Sequence, residues 1–288
     1  MLYSEHGLYY KGFPLKPFWS VNMNKKLLKS LIVAGALASS ASAQATVNLG
    51  GILIDPGFHI EVTSLYENPV TKIGDMLSGY GQVTQINGSS AFCAGGLGTC
   101  ELTYRFTDYV VSSISSTGVS FTGGKVNFYV GTSATSTMDF NPYTSASSAA
   151  DIAAATNGLL WLTLTGHDNG GFTLQGTGSN IGSGGGDIGF GGGLLDVNLA
   201  GGGVANSNFD TNSQNDLIGG KADFQFASSF GTGVVPHPAE CAAGILTSCL
   251  PGSATLRGVA LPEPTSLALL GAGLLAGGIA SRRRKQSK

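Results

Sequence analysis

Residues 101–107 (ELTYRFT) decide the fold class, because apolar and polar side chains alternate along them. Leu102, Tyr104 and Phe106 fall on one face of an extended chain, and polar residues fall on the other. A period of two with aromatic residues on one side is typical of a half-buried β-strand. The segment therefore predicts a strand that turns one face toward a core.

The same alternation recurs on both sides of this segment. The further predicted strands are residues 58–65, 125–130, 160–164, 195–199 and 222–226. Clusters of Gly, Asn, Asp and Ser separate them, as expected of turns. Residues 147–156 (SSAADIAAAT) predict one short helix capped by Ser148. Because strands and helices do not alternate, we predict an all-β fold, an antiparallel β-sandwich of the jelly-roll type with one inserted helix.

Composition and charge exclude several classes of protein. Glycine supplies 45 of the 288 residues and disfavours an all-helical fold, while 42% hydrophobic residues are enough for a core. Residues 44–261 contain five basic and fifteen acidic residues, a formal net charge of −10. Since affinity for nucleic acid comes mainly from cationic contacts, we expect no binding to DNA or RNA.

The first part of the chain has the three features of a secretory signal peptide. A basic start leads into the apolar stretch 31–38 (LIVAGALA), and an A-x-A sequence ends at Ala43. We predict a signal peptide at residues 23–43, cleavage after Ala43 with Ala45 as second choice, and export through the Sec translocon. Residues 1–22 are interpreted as an upstream mis-start or an extended n-region.

The last part of the chain joins a Pro-Glu-Pro tripeptide, an apolar run and a basic cluster. These are Pro262, Glu263 and Pro264; residues 267–280 (LALLGAGLLAGGIA); and Arg282, Arg283, Arg284 and Lys285. Fourteen apolar residues make about 21 Å of helix, less than the roughly 30 Å hydrocarbon core. The order of the three parts, with the basic cluster last, nevertheless favours a membrane-directed segment whose end stays cytoplasmic.

This tail, residues 261–288, resembles the PEP-CTERM sorting signal of Gram-negative bacteria that make exopolysaccharide. The resemblance implies processing by an exosortase, a membrane cysteine transpeptidase, and transient membrane anchoring through the C-terminal hydrophobic helix. It also implies delivery to the outer surface or the matrix. Because Lys and Arg flank both apolar segments on the cytoplasmic side, we expect residues 44–260 to form the exported domain.

The four cysteines lie in two local pairs, Cys93 with Cys100 and Cys241 with Cys249. In an oxidising compartment, an even number of cysteines in local pairs predicts two small disulfide loops. Free thiols and a zinc site are the alternatives. Zinc is disfavoured because no C-x2-C is present and the histidines are distant in sequence.

The glycine-rich run at residues 182–193 offers only weak candidates for a site. Residues 184–189 match G-x-G-x-x-G by letter, but no helix follows to hold a pyrophosphate. Asp187 and Asp196 have the nine-residue spacing of calcium-binding β-rolls, yet the required glycines are missing, so they are weak calcium candidates. The run is interpreted as a flexible or bulged connection.

No catalytic motif stands out in the sequence. His59, His167 and His237 are isolated, and neither a nucleophile elbow nor a zinc-binding histidine pair is present. We therefore predict that the protein is not an enzyme and uses no cofactor and no metal. A pair of carboxylates brought together from distant strands, as in a sandwich glycosidase, stays open as an alternative.

Hydroxyl-rich stretches at residues 112–117 (SSISST) and 132–137 (TSATST) suit hydrogen bonding to polysaccharide or O-glycosylation, or simply face solvent. Four further segments are similar to flocculation-associated PEP-CTERM proteins: residues 102–106, 121–126, 157–162 and 209–224. The resemblance implies a cell-surface or matrix protein that promotes flocculation or biofilm by associating with exopolysaccharide. A secreted polysaccharide-active enzyme and a carbohydrate- or ice-binding module are the alternatives.

Overall fold

The structure is a computed structural model that describes residues 46–261 apart from Pro56, Gly185 and Gly186. Four side chains within this range are not described: Phe58, His59, Val62 and Thr63. The predicted signal peptide with its cleavage after Ala43, the Pro262–Pro264 tripeptide, the C-terminal hydrophobic helix and the basic cluster lie outside the described residues. Within the described range, no helix has the length and apolar character needed to span a membrane.

Strands make up most of the regular structure, so the predicted all-β class is confirmed. They are β1 (Val47–Leu49), β2 (Ile52–Ile54), β3 (Gly57–Glu67), β4 (Met76–Gln82), β5 (Gln85–Ile86), β6 (Cys100–Ser115), β7 (Gly118–Thr132), β8 (Leu159–Gly166), β9 (Leu174–Ser179), β10 (Ile188–Val197), β11 (Gln214–Asn215), β12 (Lys221–Ala222), β13 (Phe224–Phe230) and β14 (Leu250–Val259). The helices are α1 (Ser148–Ala155), α2 (Asn206–Phe209) and α3 (Pro238–Ala242), with 3-10 turns at Ser133–Thr135 and Leu199–Gly201.

The main sheet is antiparallel and closes on itself. Its pairing runs β3-β4-β6-β7-β8-β10-β13-β14, and β14 pairs back with β3. The short strand β9 pairs with β7 and β10 beyond the end of β8, so it continues the same position in the ring. The result is a closed eight-stranded barrel in place of the predicted two-sheet sandwich. Alternation predicts which face of a strand is buried, but not which distant strand completes the sheet.

The predicted helix forms as α1, but its cap is one residue earlier than expected. The hydroxyl of Ser147, not that of Ser148, accepts a hydrogen bond from the Ala150 N–H at 3.2 Å. This contact satisfies one of the open N–H groups at the helix start, and the alanine-rich interior favours the helix that follows.

Two of the predicted strands end or break earlier than expected. The predicted strand 195–199 ends at Val197, because the chain enters a 3-10 turn at Leu199–Gly201. The predicted strand 222–226 is interrupted at Asp223, whose buried carboxylate accepts backbone hydrogen bonds from three N–H groups. Their donors are Val197 at 2.8 Å, Thr211 at 2.6 Å and Asn212 at 2.7 Å.

The interpretation of the glycine-rich run as a flexible or bulged connection was wrong for its second half. Its second half forms β10, which pairs with β13 on one side and with β9 and β8 on the other. Glycine is required there by close backbone approach, since a Cβ at Gly193 would lie 2.2 Å from the carbonyl oxygen of Thr173. The composition therefore reflects tight strand packing and not a loop.

Aromatic residues from several strands fill the interior of the closed sheet. Trp161 is fully buried, donates its indole N–H to the Leu49 carbonyl at 2.8 Å, and packs edge-on against Phe209. A second buried cluster lies under α1, where Tyr66, Tyr80 and Phe140 meet Ala155. The described core is thus continuous around the sheet with one satellite cluster outside it.

Both disulfides form in the two local pairs predicted from the sequence. Cys93 is bonded to Cys100, and Cys241 is bonded to Cys249. The first bond joins a buried sulfur at Cys93 to the start of β6, and the second encloses the end of α3.

Candidate functional site

The hydroxyl-rich stretch 112–117 lies where β6 turns into β7, beside β9. Together these strands form a shallow groove of about 300 Å³, called here the outer groove. It is lined by Ser113, Ile114, Ser115, Gly118, Val119, Ser120, Gln175, Gly176 and Thr177. The sequence predicted the serine-rich side, but it could not predict β9 as the opposite side.

Strand register places the polar side chains of the outer groove next to each other. Ser120 faces Gln175 across the β7–β9 pair, and Gly118 faces Thr177. The Gln175 side-chain amide donates to the Ser120 hydroxyl at 3.3 Å. Ser115 donates to the Gly118 carbonyl at 3.3 Å. Side chains two residues apart on a strand point to the same face, so strand register brings the polar side chains of β7 and β9 together on the outer face.

The outer groove offers neutral hydrogen-bonding chemistry. Hydroxyl and amide side chains both donate and accept, as the hydroxyls of a sugar do. None of the nine residues that line the groove carries a charge or an aromatic ring. The arrangement can therefore bind a neutral polyol through hydrogen bonds, while the groove itself provides no acid or base for bond cleavage.

The second hydroxyl-rich stretch, residues 132–137, is used for local structure. The Thr135 hydroxyl lies 2.9 Å from that of Thr132 and 2.7 Å from that of Thr137. The Thr137 hydroxyl also accepts from the Thr132 N–H at 3.1 Å. These contacts close the 3-10 turn that follows β7, so the hydroxyls satisfy one another.

His237 is not isolated, because the fold brings it to Asp151 on α1. Its Nε2 lies 2.8 Å from Oδ2 of Asp151 and 3.2 Å from the hydroxyl of Ser145. Tyr80 donates to the same Asp151 oxygen at 2.7 Å, and Ser145 donates to Oδ1. Burial raises the pKa of the Tyr80 phenol well above its usual value.

This cluster contains the residue types of a catalytic triad but not its geometry. In a triad, one imidazole nitrogen contacts the nucleophile and the other contacts the carboxylate. Here a single nitrogen of His237 serves both Ser145 and Asp151, and Ser145 already donates to Asp151. The cluster instead fastens α1 to β4 and to the segment before α3.

A neighbouring network joins α1 to α3 in the same way. The carboxylate of Glu240 accepts hydrogen bonds from the N–H and the hydroxyl of Ser148, which also lies 2.8 Å from the Ser248 hydroxyl. The hydrogen bond from the Ser148 hydroxyl holds the pKa of Glu240 below its usual range. Ser148 thus bonds to α3 instead of capping α1 as predicted.

His167 lies between two carboxylates that the sequence did not connect to it. Its Nδ1 is 2.8 Å from Asp196 and its Nε2 is 3.1 Å from Asp216. Partial burial alone would lower the pKa of His167, but the two hydrogen bonds outweigh it and raise the pKa. The contact between His167 and Asp216 links the turn after β8 to the turn between β11 and β12. His59, the remaining histidine of the exported domain, has no described side chain.

The calcium candidates do not share a site. Asp187 precedes β10 and accepts from the Ser183 hydroxyl at 2.7 Å, whereas Asp196 lies near the other end and contacts His167. Nine residues of extended chain span about 30 Å, far more than one ion can bridge. Among the residues that the structure describes, no group of three or more His, Cys, Asp or Glu is arranged to hold a metal ion.

Inside the closed sheet lies a second concave feature, an apolar cavity of about 80 Å³. Glu67, only 7% exposed, points into this cavity from β3. Burial raises its pKa to about 8. Glu67 was not predicted as a site residue, although an acidic residue two positions after the inward-facing Leu65 was a usable signal.

Asn208 holds Leu261, the last residue that the structure describes, through one backbone and one side-chain hydrogen bond. The Asn208 carbonyl accepts from the Leu261 N–H at 2.7 Å, and the Asn208 amide donates to the Leu261 carbonyl at 3.3 Å. Ala260 is buried against the core. The chain is therefore held by α2 up to its last described residue, directly after β14.

Comparison with known protein families identifies the segment that begins at this point. Residues 260–285 match the family model for the PEP-CTERM protein-sorting motif. The chain carries a PEP-CTERM sorting motif. The matched PEP-CTERM residues include the Pro262–Pro264 tripeptide and the basic cluster, and they imply exosortase-dependent sorting to the cell surface. A search of the curated proteins and a search of the solved structures each found no significant match.

Proposed function

We propose that this PEP-CTERM protein is a surface or matrix protein that promotes flocculation and biofilm formation by associating with exopolysaccharide. It does so without catalysis of its own, through the outer groove. The observation that carries the proposal is the position of the sorting motif. The matched motif begins at residue 260, directly after β14 ends at Val259, so a domain with a hydroxyl-lined groove is sorted to the cell surface as one unit with its signal.

The chemistry of the outer groove favours a neutral polysaccharide. The domain has a formal net charge of −10 over residues 44–261, so an acidic polymer would be repelled at long range. The groove supplies no cation to offset that repulsion, but its hydroxyl and amide groups match the hydroxyls of an uncharged sugar.

Affinity for a single sugar at such a groove is expected to be low. Each neutral hydrogen bond contributes only about 1 kcal/mol net, and the groove has no aromatic ring on which a sugar ring can stack. Many copies displayed on one cell surface would bind one polymer chain with much higher avidity. Weak single sites therefore suit a protein that holds cells together.

The test is a gene deletion complemented with variants of the groove. The test variant is Gln175→Ala combined with Thr177→Ala, and the matched control is Gln225→Ala, an exposed glutamine on β13 outside the groove. We expect the deletion strain to lose settling and cell-bound polysaccharide. Wild type and the control restore both, and the groove variant restores neither although surface immunolabelling finds it at normal levels.

Two outcomes would contradict the proposal. Normal settling and polysaccharide retention in the deletion strain would remove the adhesive role altogether. Full complementation by the groove variant would remove the outer groove as the binding surface.

A further inference from the structure

An aromatic side chain stands exposed on the outer face of β10. Phe190 keeps 70% of its surface accessible to solvent. Its neighbours in the strand face inward, since Gly189 is buried and Gly191 lines the apolar cavity inside the closed sheet. Side chains alternate along a strand, so this arrangement turns Phe190 outward. A ring exposed on a strand that is paired on both sides is held in place and is free to contact a partner.

Strand register places Phe190 directly beside the outer groove. Across the β9–β10 pair, Phe190 faces Thr177 and Gly192 faces Gln175. Thr177 and Gln175 are also part of the lining of the outer groove. Directly opposite side chains of paired antiparallel strands have Cβ atoms about 4.5–5.5 Å apart. The ring on β10 and the outer groove therefore form one continuous surface.

Small side chains border the ring on the β13 side. Phe190 faces Ser229, whose hydroxyl lies 2.8 Å from that of Ser253 on β14. Two residues further along β10, Gly192 faces Ala227. Because neither Gly192 nor Ala227 carries a large side chain, the surface of the sheet is low beside the ring. A flat ligand can therefore approach the ring over these two residues.

The residues around the ring are neutral. Across β7, β9, β10 and β13 they form two rows on the outer face, Gly118, Thr177, Phe190 and Ser229 in one and Ser120, Gln175, Gly192 and Ala227 in the other. None of them is charged, and the only large apolar side chain among them is that of Phe190. A single ring bordered by hydroxyl and amide groups matches a sugar, which has an apolar C–H face and a rim of hydroxyls. A protein partner would instead require a broader apolar patch.

We propose that Phe190 is the stacking residue of the polysaccharide site and that the ligand is a neutral β-linked glucan. This inference deepens the proposed function and rests on it, because it takes the outer groove as the polysaccharide surface. The hydroxyls of a β-linked glucose ring are equatorial, so its C–H groups can lie against the negatively polarised face of the aromatic ring. An axial hydroxyl would hold the sugar away from the ring. The rim hydroxyls are then within reach of Gln175, Thr177 and Ser229.

The test is affinity electrophoresis of the full chain, in mild detergent, through native gels that contain a soluble mixed-linkage β-glucan. Matched gels contain poly(vinyl alcohol), which has hydroxyl groups but no sugar rings, or polygalacturonate, which is acidic. The β-glucan is expected to retard the wild-type chain, and the two other polymers are expected to leave its mobility unchanged.

Variants separate the aromatic ring from a merely apolar surface. Phe190→Leu keeps an apolar side chain but removes the ring, and is expected to weaken β-glucan binding by at least about threefold. Phe190→Tyr keeps a ring and is expected to bind within about twofold of wild type. Ala227→Leu makes the surface more apolar but fills the low region beside the ring, so it too is expected to weaken binding. Ile73→Ala is the matched control, because Ile73 is similarly exposed, at 66%, in the turn between β3 and β4.

Several outcomes would overturn the inference. They are no retardation of the wild-type chain by β-glucan, equal retardation by poly(vinyl alcohol), and unchanged binding by Phe190→Leu. A change in the oligomeric state of Phe190→Leu, measured by light scattering, would also overturn it, because the ring would then serve contact between copies of this chain. Failure of the proposed function is seen separately, since normal settling of the deletion strain removes the adhesive role without changing the result of the gels.

Discussion

The side chain of Glu67 shows how one buried carboxyl group can be costly to the fold. It lies on the inward face of β3, two residues after Leu65, among aromatic side chains. Burial favours its neutral form, which is why its pKa rises to about 8. The same rise in the pKa of Glu67 makes the stability of the domain depend on pH.

Glu67→Gln should remove a fall in stability between pH 4.5 and pH 8. In that window the unfolded chain releases the Glu67 proton while the folded chain keeps it, so raising the pH favours unfolding. The slope is about 1.4 kcal/mol per pH unit from this group. Urea unfolding at pH 5, 6.5 and 8 should therefore show the variant gaining a few kcal/mol on wild type as the pH rises.

Glu61→Gln is the control for this measurement, because it makes the same substitution on the same strand outside the cavity. A constant difference between Glu67→Gln and wild type at all three pH values would mean that the Glu67 carboxyl group has the same pKa in the folded and the unfolded chain.

At the scale of elements, β10 shows how a strand can form from a sequence that reads as a loop. It contains consecutive glycines at 191–193, yet it pairs along its length with β13 and with β9 or β8. The glycines allow neighbouring backbones to approach more closely than side chains would permit. The need for glycine can be tested position by position, because an added Cβ would meet a neighbouring backbone much more closely at Gly193 than at Gly192.

Gly193→Ala is expected to cost at least about 2 kcal/mol of unfolding free energy, since its Cβ would lie 2.2 Å from the Thr173 carbonyl oxygen. Gly192→Ala is the matched control. Its Cβ would lie 3.3 Å from the Phe226 carbonyl oxygen, so we expect a change within about 1 kcal/mol. Urea unfolding of both variants measures the difference, and equal stabilities would show that β10 does not require glycine at position 193.

At the scale of the whole molecule, closure depends on strands from opposite ends of the domain. β3 starts at Gly57 and pairs with β14, which ends at Val259. The ring of strands cannot close until nearly all of the domain is available, so slow folding dominated by distant contacts is expected. The two disulfides, by contrast, close short local loops and can stabilise the domain only by constraining its unfolded chain.

The two disulfides should differ in their contribution to global stability. Each encloses a loop of similar length, for which the chain-entropy model gives about 2.5 kcal/mol. Replacing Cys93 and Cys100 with serine should cost more than that, because Cys93 is buried in the core and a hydroxyl would be desolvated there. Replacing Cys241 and Cys249 should cost the loop contribution alone. Thermal unfolding of both double variants measures this, and a larger loss for the second pair would contradict it.

The sequence by itself determined what depends on local order. Alternation at residues 101–107 identified a half-buried strand, short spacing paired the cysteines, and the sequence of tripeptide, apolar run and basic cluster identified the sorting tail. Each of these signals is contained in a few neighbouring residues.

Only the tertiary structure decided the closed sheet, the burial of Glu67 and the pairing of His237 with Asp151, which are 86 residues apart. It also decided that β9 completes the outer groove beside β6 and β7. The physical reason is that a strand's side-chain pattern records which face is buried but carries no information about which distant strand will pair with it. That choice is made by the free energy of the whole packed domain.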